Sequence, residues 1–482
     1  MSPAIPSILL FLYFLFFLIH SDFYPVFWPD EVLFFSPTES LVKNFTLSTS
    51  VLSGLIEGMD RVTLWMPPLY FLYSALFQKL LGDSIFSSRL ASFIASLLLF
   101  FPLRGIFHSM GMEKKKFSLF ISLIFSDILF YKISATARME SLGLFFSLSA
   151  IYFLVSKDKT GYYLIIGILQ GLAVMSHPFT IGFLLIEILF YFIFRKFLIN
   201  DFLFGILGFM LPIFLWAFYV YPNSEIFFLQ FGAQLGRKKD LLFSVFTIIT
   251  KIKIILSGFK FPFFRGLLLF GISIAVYFSW KDISDPERKK RLLFFSGALI
   301  ILFLLIFLSS ESWYVYYIIP FLSFLMVDLY ESRNLLSKIL APVWLLSNIL
   351  GVLLTIYSIW IPVPVKNIQN SFFEKLFSLT QGKNKVYLQS IPDPYFYFKE
   401  KNPNLIIREF IPGELPLPIE FSKNELESQD LYIFYNEELI HPTIKNFLNI
   451  HADKFEKFEV RMESPKFFEY KYTAYVYSKK TQ

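Results

Sequence analysis

Two adjacent carboxylates, Asp30 and Glu31, end the stretch His20-Ser-Asp-Phe-Tyr-Pro-Val-Phe-Trp-Pro-Asp-Glu31, which follows a first apolar run of membrane length. Carboxylates beside a bilayer are costly unless they are paired, wet or used. One use is to take the proton of an incoming hydroxyl, the task of a general base in group transfer to an alcohol. A phosphate-linked donor adds a second requirement, cations that stabilise the phosphate as it leaves. When base and leaving group flank the reacting carbon, the substitution inverts it. Asp30 is the candidate base, and Glu31 is placed to orient substrate or help bind a cation.

Further along, Ala137-Arg-Met-Glu140 stands at the entry to another apolar segment. The planar fork of Arg138 suits a donor phosphate, and Glu140 could hold a sugar or a metal. On a regular helix these two side chains point in different directions, so a shared role requires an extended turn there. His177, in Ser176-His-Pro178, is the only histidine in a tight turn between two apolar segments and could donate to a phosphate oxygen. Arg89 is expected to pair with an acid of the first loop or to contact the phosphate. Tyr316 and Tyr317 could contact sugar or phosphate. Each has a plainer explanation. Asp30 and Glu31 could be solvated surface acids, Arg138 a snorkelling side chain, Glu140 a helix N-terminal acid, and the tyrosines part of an aromatic belt. No dedicated metal motif is present. His177, Asp30 and Glu140 could assemble a site, so the sequence names no cofactor and leaves a divalent metal ion open.

These residues sit in a chain that is 55% hydrophobic and 20% aromatic, with only 17% charged residues. A soluble protein of 482 residues could not bury that much apolar side chain, so repeated membrane crossing is the first inference. Absence of cysteine excludes disulfides, thiol nucleophiles and thiolate metal sites. The net charge of +7 is spread over short loops between apolar runs, a pattern of topology signals and not of nucleic-acid binding.

The first run, about 4–19, has no basic residue before it and no small-x-small cleavage site after it, and reads as a retained helix. Further spans are expected at roughly 87–107, 117–132, 141–156, 161–176, 179–194, 202–220, 262–280, 292–309, 313–330 and 338–360. The segment 66–81 is ambiguous. If it does not cross, the loops with Lys114 to Lys116, Lys157/Lys159, Arg195-Lys196, Arg288 to Arg291 and Arg333/Lys338 all share one side, as the positive-inside rule favours. Pro67-Pro68 also suits the start of a surface helix, with Tyr70, Phe71 and Tyr73 at the headgroup level. The expectation is therefore a mainly α, polytopic protein of about eleven helices with its N-terminus inside. Asp30, Arg138, His177 and Tyr316 then share the outer face. So does a long loop, about 221–261, whose basic cluster Arg237-Lys-Lys239 breaks the inside bias and reads as a solvated loop or as an attractor of an anionic donor.

From Ile361 the composition changes. Prolines at 362 and 364 mark a linker, and charged residues become frequent to Gln482. Segments beginning at Lys385, Asn404, Asp430 and Phe467 read as strands, with a helix from about Thr443 to Ile450 after His441-Pro442. Residues 1–360 thus form a membrane module with a first outer loop of 21–86, and 361–482 a small extracytoplasmic α/β domain without a catalytic motif.

The layout resembles the GT-C superfamily of membrane glycosyltransferases, family-39-like, with protein O-mannosyltransferases and the lipid A aminoarabinose transferase as relatives. The resemblance rests on Asp30-Glu31, Pro67-Pro-Leu-Tyr70 and Gly82-Asp-Ser-Ile-Phe-Ser-Ser-Arg-Leu-Ala-Ser92. Ala137-Arg-Met-Glu140 is similar to the group's Arg-x-Asp/Glu motif, Gly171-Leu-Ala-Val-Met-Ser-His-Pro178 to its Gly-Leu-Ala-x-Leu-Thr-Lys/His segment, and Tyr316-Tyr-Ile-Ile-Pro320 to its Tyr-Tyr-x-x-Pro. It covers about residues 1–330. It implies a polyprenyl-phosphate-linked sugar donor, a lipid, glycan or protein acceptor, inverting transfer at the outer face of the plasma (inner) membrane, and Asp30 as catalytic carboxylate. Two other functions fit the same chain. A transporter or flippase of lipid-linked sugars predicts paired charges near the bilayer midplane, and Glu187, inside a span, favours it. A non-catalytic membrane assembly protein predicts that Asp30 can be replaced without loss.

Overall fold

The computed structural model describes residues 5–157, 159–196, 198–236, 245–309, 311–332, 334–361, 363–409, 419–463 and 471–480. Arg237, Lys238, Lys239 and Arg333 lie outside them, as does the start of the strand expected from Phe467. The membrane part begins with α1 (Ile5–His20), α2 (Pro29–Asn44), α3 (Leu69–Leu81), α4 (Ile85–Leu98), α5 (Phe100–Ser109), α6 (Phe117–Phe125) and α7 (Ile128–Ser134). It continues through α8 (Glu140–Ser156), α9 (Gly161–Ser176), α10 (Phe183–Phe194), α11 (Ile199–Val220), α12 (Ser224–Gly236) and α13 (Val245–Ser257). The last four membrane-part helices are α14 (Pro262–Asp282), α15 (Pro286–Ser309), α16 (Ile318–Tyr330) and α17 (Leu335–Trp360).

Among the described residues, six helices are long and apolar enough to cross a membrane: Ile85–Ser109, Ile199–Gly232, Pro262–Asp282, Pro286–Ser309, Ser312–Tyr330 and Leu335–Trp360. The pair Lys114–Phe125 and Ile128–Ser134, bent by 66°, makes a seventh unit, and four shorter apolar helices are Ile5–His20, Glu140–Ser156, Gly161–Ser176 and Pro178–Phe194. These units fall one for one on the apolar runs expected from sequence. The bend is satisfied locally, as a break in a membrane helix must be. The Asp127 carboxylate accepts from the Leu129 amide at 3.0 Å and pairs with buried Arg265 at 3.0 Å, and Arg265 lies over the Trp344 ring at 4.1 Å. Packing between α9 and α11 is close because glycines face each other. A Cβ on Gly167 would come within 2.1 Å of the Gly205 carbonyl oxygen, and one on Gly208 within 2.1 Å of that of Leu164.

Segment 66–81 forms α3, only 13 residues long and absent from the six spans, with Leu72, Leu76 and Leu80 exposed along one face. The expected placement of its aromatics is corrected. Tyr70 and Phe71 turn inward, each 1% exposed, because Phe34 and Trp65 of the first loop offer ring contacts and Ser92 a hydrogen bond at 2.9 Å. The first loop is also more regular than expected, since α2 occupies Pro29–Asn44. The expected loop 221–261 holds α12 and α13. Gln230 of α12 accepts from the Leu64 amide at 2.8 Å and so pins it to the first loop.

At the other end of the bundle, Lys116 and Glu331 pair at 3.2 Å, and Arg291 binds Asp328 at 3.0 Å. The basic loops at 114–116 and 286–291 therefore share one end.

After α17 the chain enters α18 (Val365–Ser378), β1 (Lys385–Gln389), α19 (Tyr395–Lys401), β2 (Ile406–Glu409), α20 (Ile419–Ser428) and β3 (Leu431–Phe434). Next come α21 (Pro442–Ile450), β4 (Phe455–Arg461) and β5 (Thr473–Lys479). The sheet order is β2-β1-β3-β5-β4, parallel across β2-β1-β3 and antiparallel across β3-β5-β4. Strand β4 has no counterpart among the expected strands. Its sequence, Phe455-Glu-Lys-Phe-Glu-Val-Arg461, carries exposed charges at most positions, which hides the alternation. The proline-marked linker is short, since α18 begins at Val365.

Candidate active site

Asp30 and Glu31 owe their position to the start of α2. Pro29 occupies the first helical position, where its missing N–H costs nothing. The two acids fill the first turn, where the helix dipole favours them. Glu31 accepts from the Trp28 amide at 3.3 Å, half of a capping box. The helix therefore holds the two carboxyls on different sides.

Glu31 points inward and is fully buried. Arg89 of α4 grips it bidentately, Nε to Oε2 at 2.8 Å and Nη2 to Oε1 at 2.6 Å, and Oε2 also accepts from the Ala137 amide at 2.9 Å. Arg89 further donates to the Ser21 carbonyl at 2.6 Å and lies 4.4 Å over the Phe27 ring. Of the two roles expected for Arg89, it takes the pairing one. Glu31 ties together the first loop, α4 and the 137–138 turn, a positioning arrangement with no open face for substrate.

Asp30 points the other way, its side chain 31% exposed, and Oδ2 accepts from Arg138 Nη1 at 2.6 Å. Arg138 spends Nε and Nη2 on Glu140 Oε1 at 3.0 and 2.8 Å. The pair forms because Arg138 precedes α8 and Glu140 begins it, and it does so without the extended turn expected there, since Met139 between them already has helical dihedrals. The Trp313 ring covers the guanidinium at 5.1 Å. Arg138 is thus a cation clamped between two carboxylates beneath an aromatic lid.

His177, Tyr316 and Tyr317 lie behind this line. His177 is 1% exposed, with Nδ1 2.7 Å from the Tyr317 hydroxyl and Nε2 3.3 Å from that of Tyr314. The Tyr316 hydroxyl is 3.1 Å from that of Ser141, and neither Tyr316 nor Tyr317 is exposed. These residues form a buried polar layer around the root of α8. Asp30, Glu140 and His177 do not converge on a metal. Arg138 occupies the space between the two acids, and the described residues hold no group of three or more ligating side chains.

In front of Arg138 opens a cavity of about 370 Å³, lined among others by Trp28, Lys132, Thr136, Arg138, Lys260 and Trp313. Lys132 comes from α7 and Lys260 from the turn before α14, so three separate chain segments supply its cations. The close packing of its wall needs Gly258, where a Cβ would sit 2.4 Å from the Ser312 carbonyl oxygen. Sequence reasoning missed both lysines. Lys132 carried a usable signal, a basic residue inside an apolar run, whereas Lys260 carried none.

The sheet part also reaches the site. The Asp393 amide donates to the Phe27 carbonyl at 3.0 Å, and Phe27 packs on Phe373 and Phe396. Tyr435, at the end of β3, has its phenol raised by burial and by the nearby Asp30 charge. Asp393 is fully buried and hydrogen-bonded to Glu409. Burial, reinforced by the Glu31 charge, pushes its carboxyl up to about 7. The folded protein therefore holds a proton there that the unfolded chain releases above the ordinary carboxylate range. Stability from this group is full at low pH and is lost as pH rises toward and through about 7. We expect Tm to fall between pH 5 and pH 8, by about 1 °C for each kcal/mol lost in a chain of this length, and the slope to flatten in Asp393→Asn. Parallel slopes in the two proteins would refute this assignment.

Residues 66–219 match the family model of dolichyl-phosphate-mannose-protein mannosyltransferase. No curated protein matches the chain. Among solved structures, the fold resembles ArnT from Cupriavidus metallidurans, in a form bound to undecaprenyl phosphate and in the apo state. In both cases the TM-score is 0.57 at 11% identity, over 98% of this chain and 97% of that chain. At that identity the likeness is one of fold, and it spans the helices and the sheet alike. By that matched segment and that shared fold, the chain carries in residues 66–219 the signature of the protein mannosyltransferase family and has the overall fold of a GT-C membrane glycosyltransferase.

Proposed function

We propose that this protein moves a sugar from a polyprenyl-phosphate donor to an acceptor hydroxyl with inversion, Asp30 serving as base. The observation that carries the proposal is the Arg138 guanidinium, which binds Asp30 at 2.6 Å and also lines the cavity that holds Lys132 and Lys260. In this reading the donor phosphate lies among Lys132, Arg138 and Lys260, and the prenyl chain leaves along the exposed apolar faces of the bundle. The acceptor approaches from the Asp30 side. Its O–H proton passes to the Asp30 carboxylate as the acceptor oxygen bonds to the anomeric carbon. The bond from that carbon to the phosphate oxygen breaks, and the three cations stabilise the charge that develops there. Glu140 and the covering Trp313 hold Arg138 in register, which keeps base and phosphate site at a fixed separation. The structure of ArnT bound to undecaprenyl phosphate supports a prenyl-phosphate ligand for this fold.

The site lies at the end of the bundle opposite the basic loops at 114–116 and 286–291, which supports an extracytoplasmic site and tail domain under the positive-inside rule. The test is transfer from radiolabelled polyprenyl-phosphate sugars by the purified full chain in liposomes. Lys132→Ala and Lys260→Ala should each raise the donor KM by roughly tenfold or more, the cost of one charge-assisted hydrogen bond, with a smaller change in kcat. Wild-type turnover with donor KM unmoved in both variants would take the phosphate out of this cavity. No turnover with any such donor would reject the proposal.

A further inference from the structure

Glu187 has no part in the transfer site. It sits in the middle of α10 and faces a second cavity, a groove of about 550 Å³ bounded by α9, α10 and α11. The walls are almost wholly apolar, Leu184, Ile188, Ile206 and Phe209 among them. Two carboxyl groups interrupt them. Glu187 is 8% exposed and its Oε1 has no hydrogen-bond partner among the described residues. Asp201, in the first turn of α11, is 4% exposed; its Oδ2 accepts from the Tyr191 hydroxyl at 3.1 Å and its Oδ1 has no partner among the described residues.

An apolar groove between membrane helices does not by itself select a ligand, but two unsatisfied carboxyl oxygens in it do. Each is costly there unless something in the groove hydrogen-bonds it. The end of the groove adds a charge of the other sign. Arg195 donates to the carbonyls of Leu154, a groove residue, and of Lys157, at 3.2 and 3.1 Å. Arg195 follows the end of α10 beside the groove residue Leu154, Asp201 is held near that end by Tyr191, and Glu187 lies about 10 Å deeper along α10, with apolar walls between. This is the polarity pattern of a zwitterionic lipid, with an ammonium and a phosphate at one level, ester groups below, and chains beyond.

We propose that the groove between α9, α10 and α11 binds phosphatidylethanolamine, its ammonium on Asp201, its phosphate beside Arg195 and an ester carbonyl accepting the O–H of Glu187 held as the neutral acid. The acyl chains run along Leu184, Ile188 and Ile206. Phosphatidylglycerol shares the phosphate and the chains but has no ammonium, and its net negative charge meets the Asp201 carboxylate. Discrimination between the two lipids is thus the signature of the site.

The experiment is native mass spectrometry of the full chain in detergent, titrated with phosphatidylethanolamine or phosphatidylglycerol of identical chains. Wild type should retain phosphatidylethanolamine at about tenfold lower concentration, and Asp201→Asn should erase most of that preference, whereas Glu187→Gln, at a level the two lipids share, should lower retention of both and leave the preference in place. Gly205→Leu provides an independent arm. It leaves both acids in place, and its new Cβ meets nothing closer than the Tyr163 carbonyl oxygen at 4.0 Å, so the side chain grows into the groove. It should lower retention of both lipids by about tenfold, and it carries the test if an acid variant does not fold. Equal retention of the two lipids by wild type would overturn the proposal. So would undiminished phosphatidylethanolamine retention in Gly205→Leu, or a lipid-free dimer in which a second copy fills the groove.

Discussion

Asp30→Asn is expected to lower sugar transfer by roughly 10³-fold, within the 10²–10⁴ that a positioned general base contributes, while the protein stays folded. Asparagine keeps the shape and leaves an amide oxygen to accept from Arg138 Nη1, so the clamp on the guanidinium survives. What disappears is the group that takes the acceptor proton. Stability should change little, because the Asp30 side chain is 31% exposed and lies at the rim of the buried charge network. The measurement is transfer at saturating donor, paired with thermal unfolding of the same preparations. Activity within tenfold of wild type would move the base elsewhere, and Tyr435, close enough to feel the Asp30 charge, would be examined next.

Arg89→Ala should have the largest effect on stability, a loss of about 3–5 kcal/mol, because it leaves the Glu31 charge buried without its cation. Neither side chain has any exposed surface, and the pair is bidentate at 2.8 and 2.6 Å. Arg89→Lys should fall between, since an ammonium cannot reproduce two parallel bonds to one carboxylate and abandons the Ser21 carbonyl. Combining Arg89→Met with Glu31→Leu should recover part of the loss by removing the orphan charge. Recovery should be incomplete, because Glu31 also accepts from the amides of Trp28 and Ala137. A double-mutant cycle in denaturant unfolding reads these terms directly. An Arg89→Ala variant within 1 kcal/mol of wild type would show that the pair is not fixing the first loop.

The two predictions separate neighbours in sequence by what surrounds them. Asp30 and Glu31 are the same chemistry one residue apart, yet one faces the cavity's arginine and the other is locked behind it. The start of α2 decides this, and its signals were in the chain. Pro29 marks a first helical position and Glu31 a capping acid three residues after Trp28. Reading 21–86 as loop missed them because the surrounding aromatics mask any helical periodicity.

By itself the sequence determined what local apolarity and charge can determine. Apolar runs form helices where they stand, so the eleven apolar helical units among the described residues, six of them long enough to span a bilayer, fall on the runs themselves. The basic loops set the parity of those runs, and parity put Asp30, Arg138 and Glu140 at one end. The structure then joins the three side chains through Arg138. Only the tertiary structure decided which polar groups share a space. Lys132 and Lys260 are 128 residues apart in the chain and meet at one cavity because α7 and the approach to α14 pack side by side. His177 and the hydroxyls of Tyr314 and Tyr317, spread over 140 residues, satisfy one another and withdraw from that cavity. Asp393 reaches the site through its amide, which donates a hydrogen bond to the Phe27 carbonyl, from a part of the chain whose composition announces only a soluble sheet. Apolar spacing and charge bias are properties of short windows and survive without a fold. The meeting of buried polar groups is set by helix packing and by the cost of leaving any of them unpaired, and no short window contains both partners.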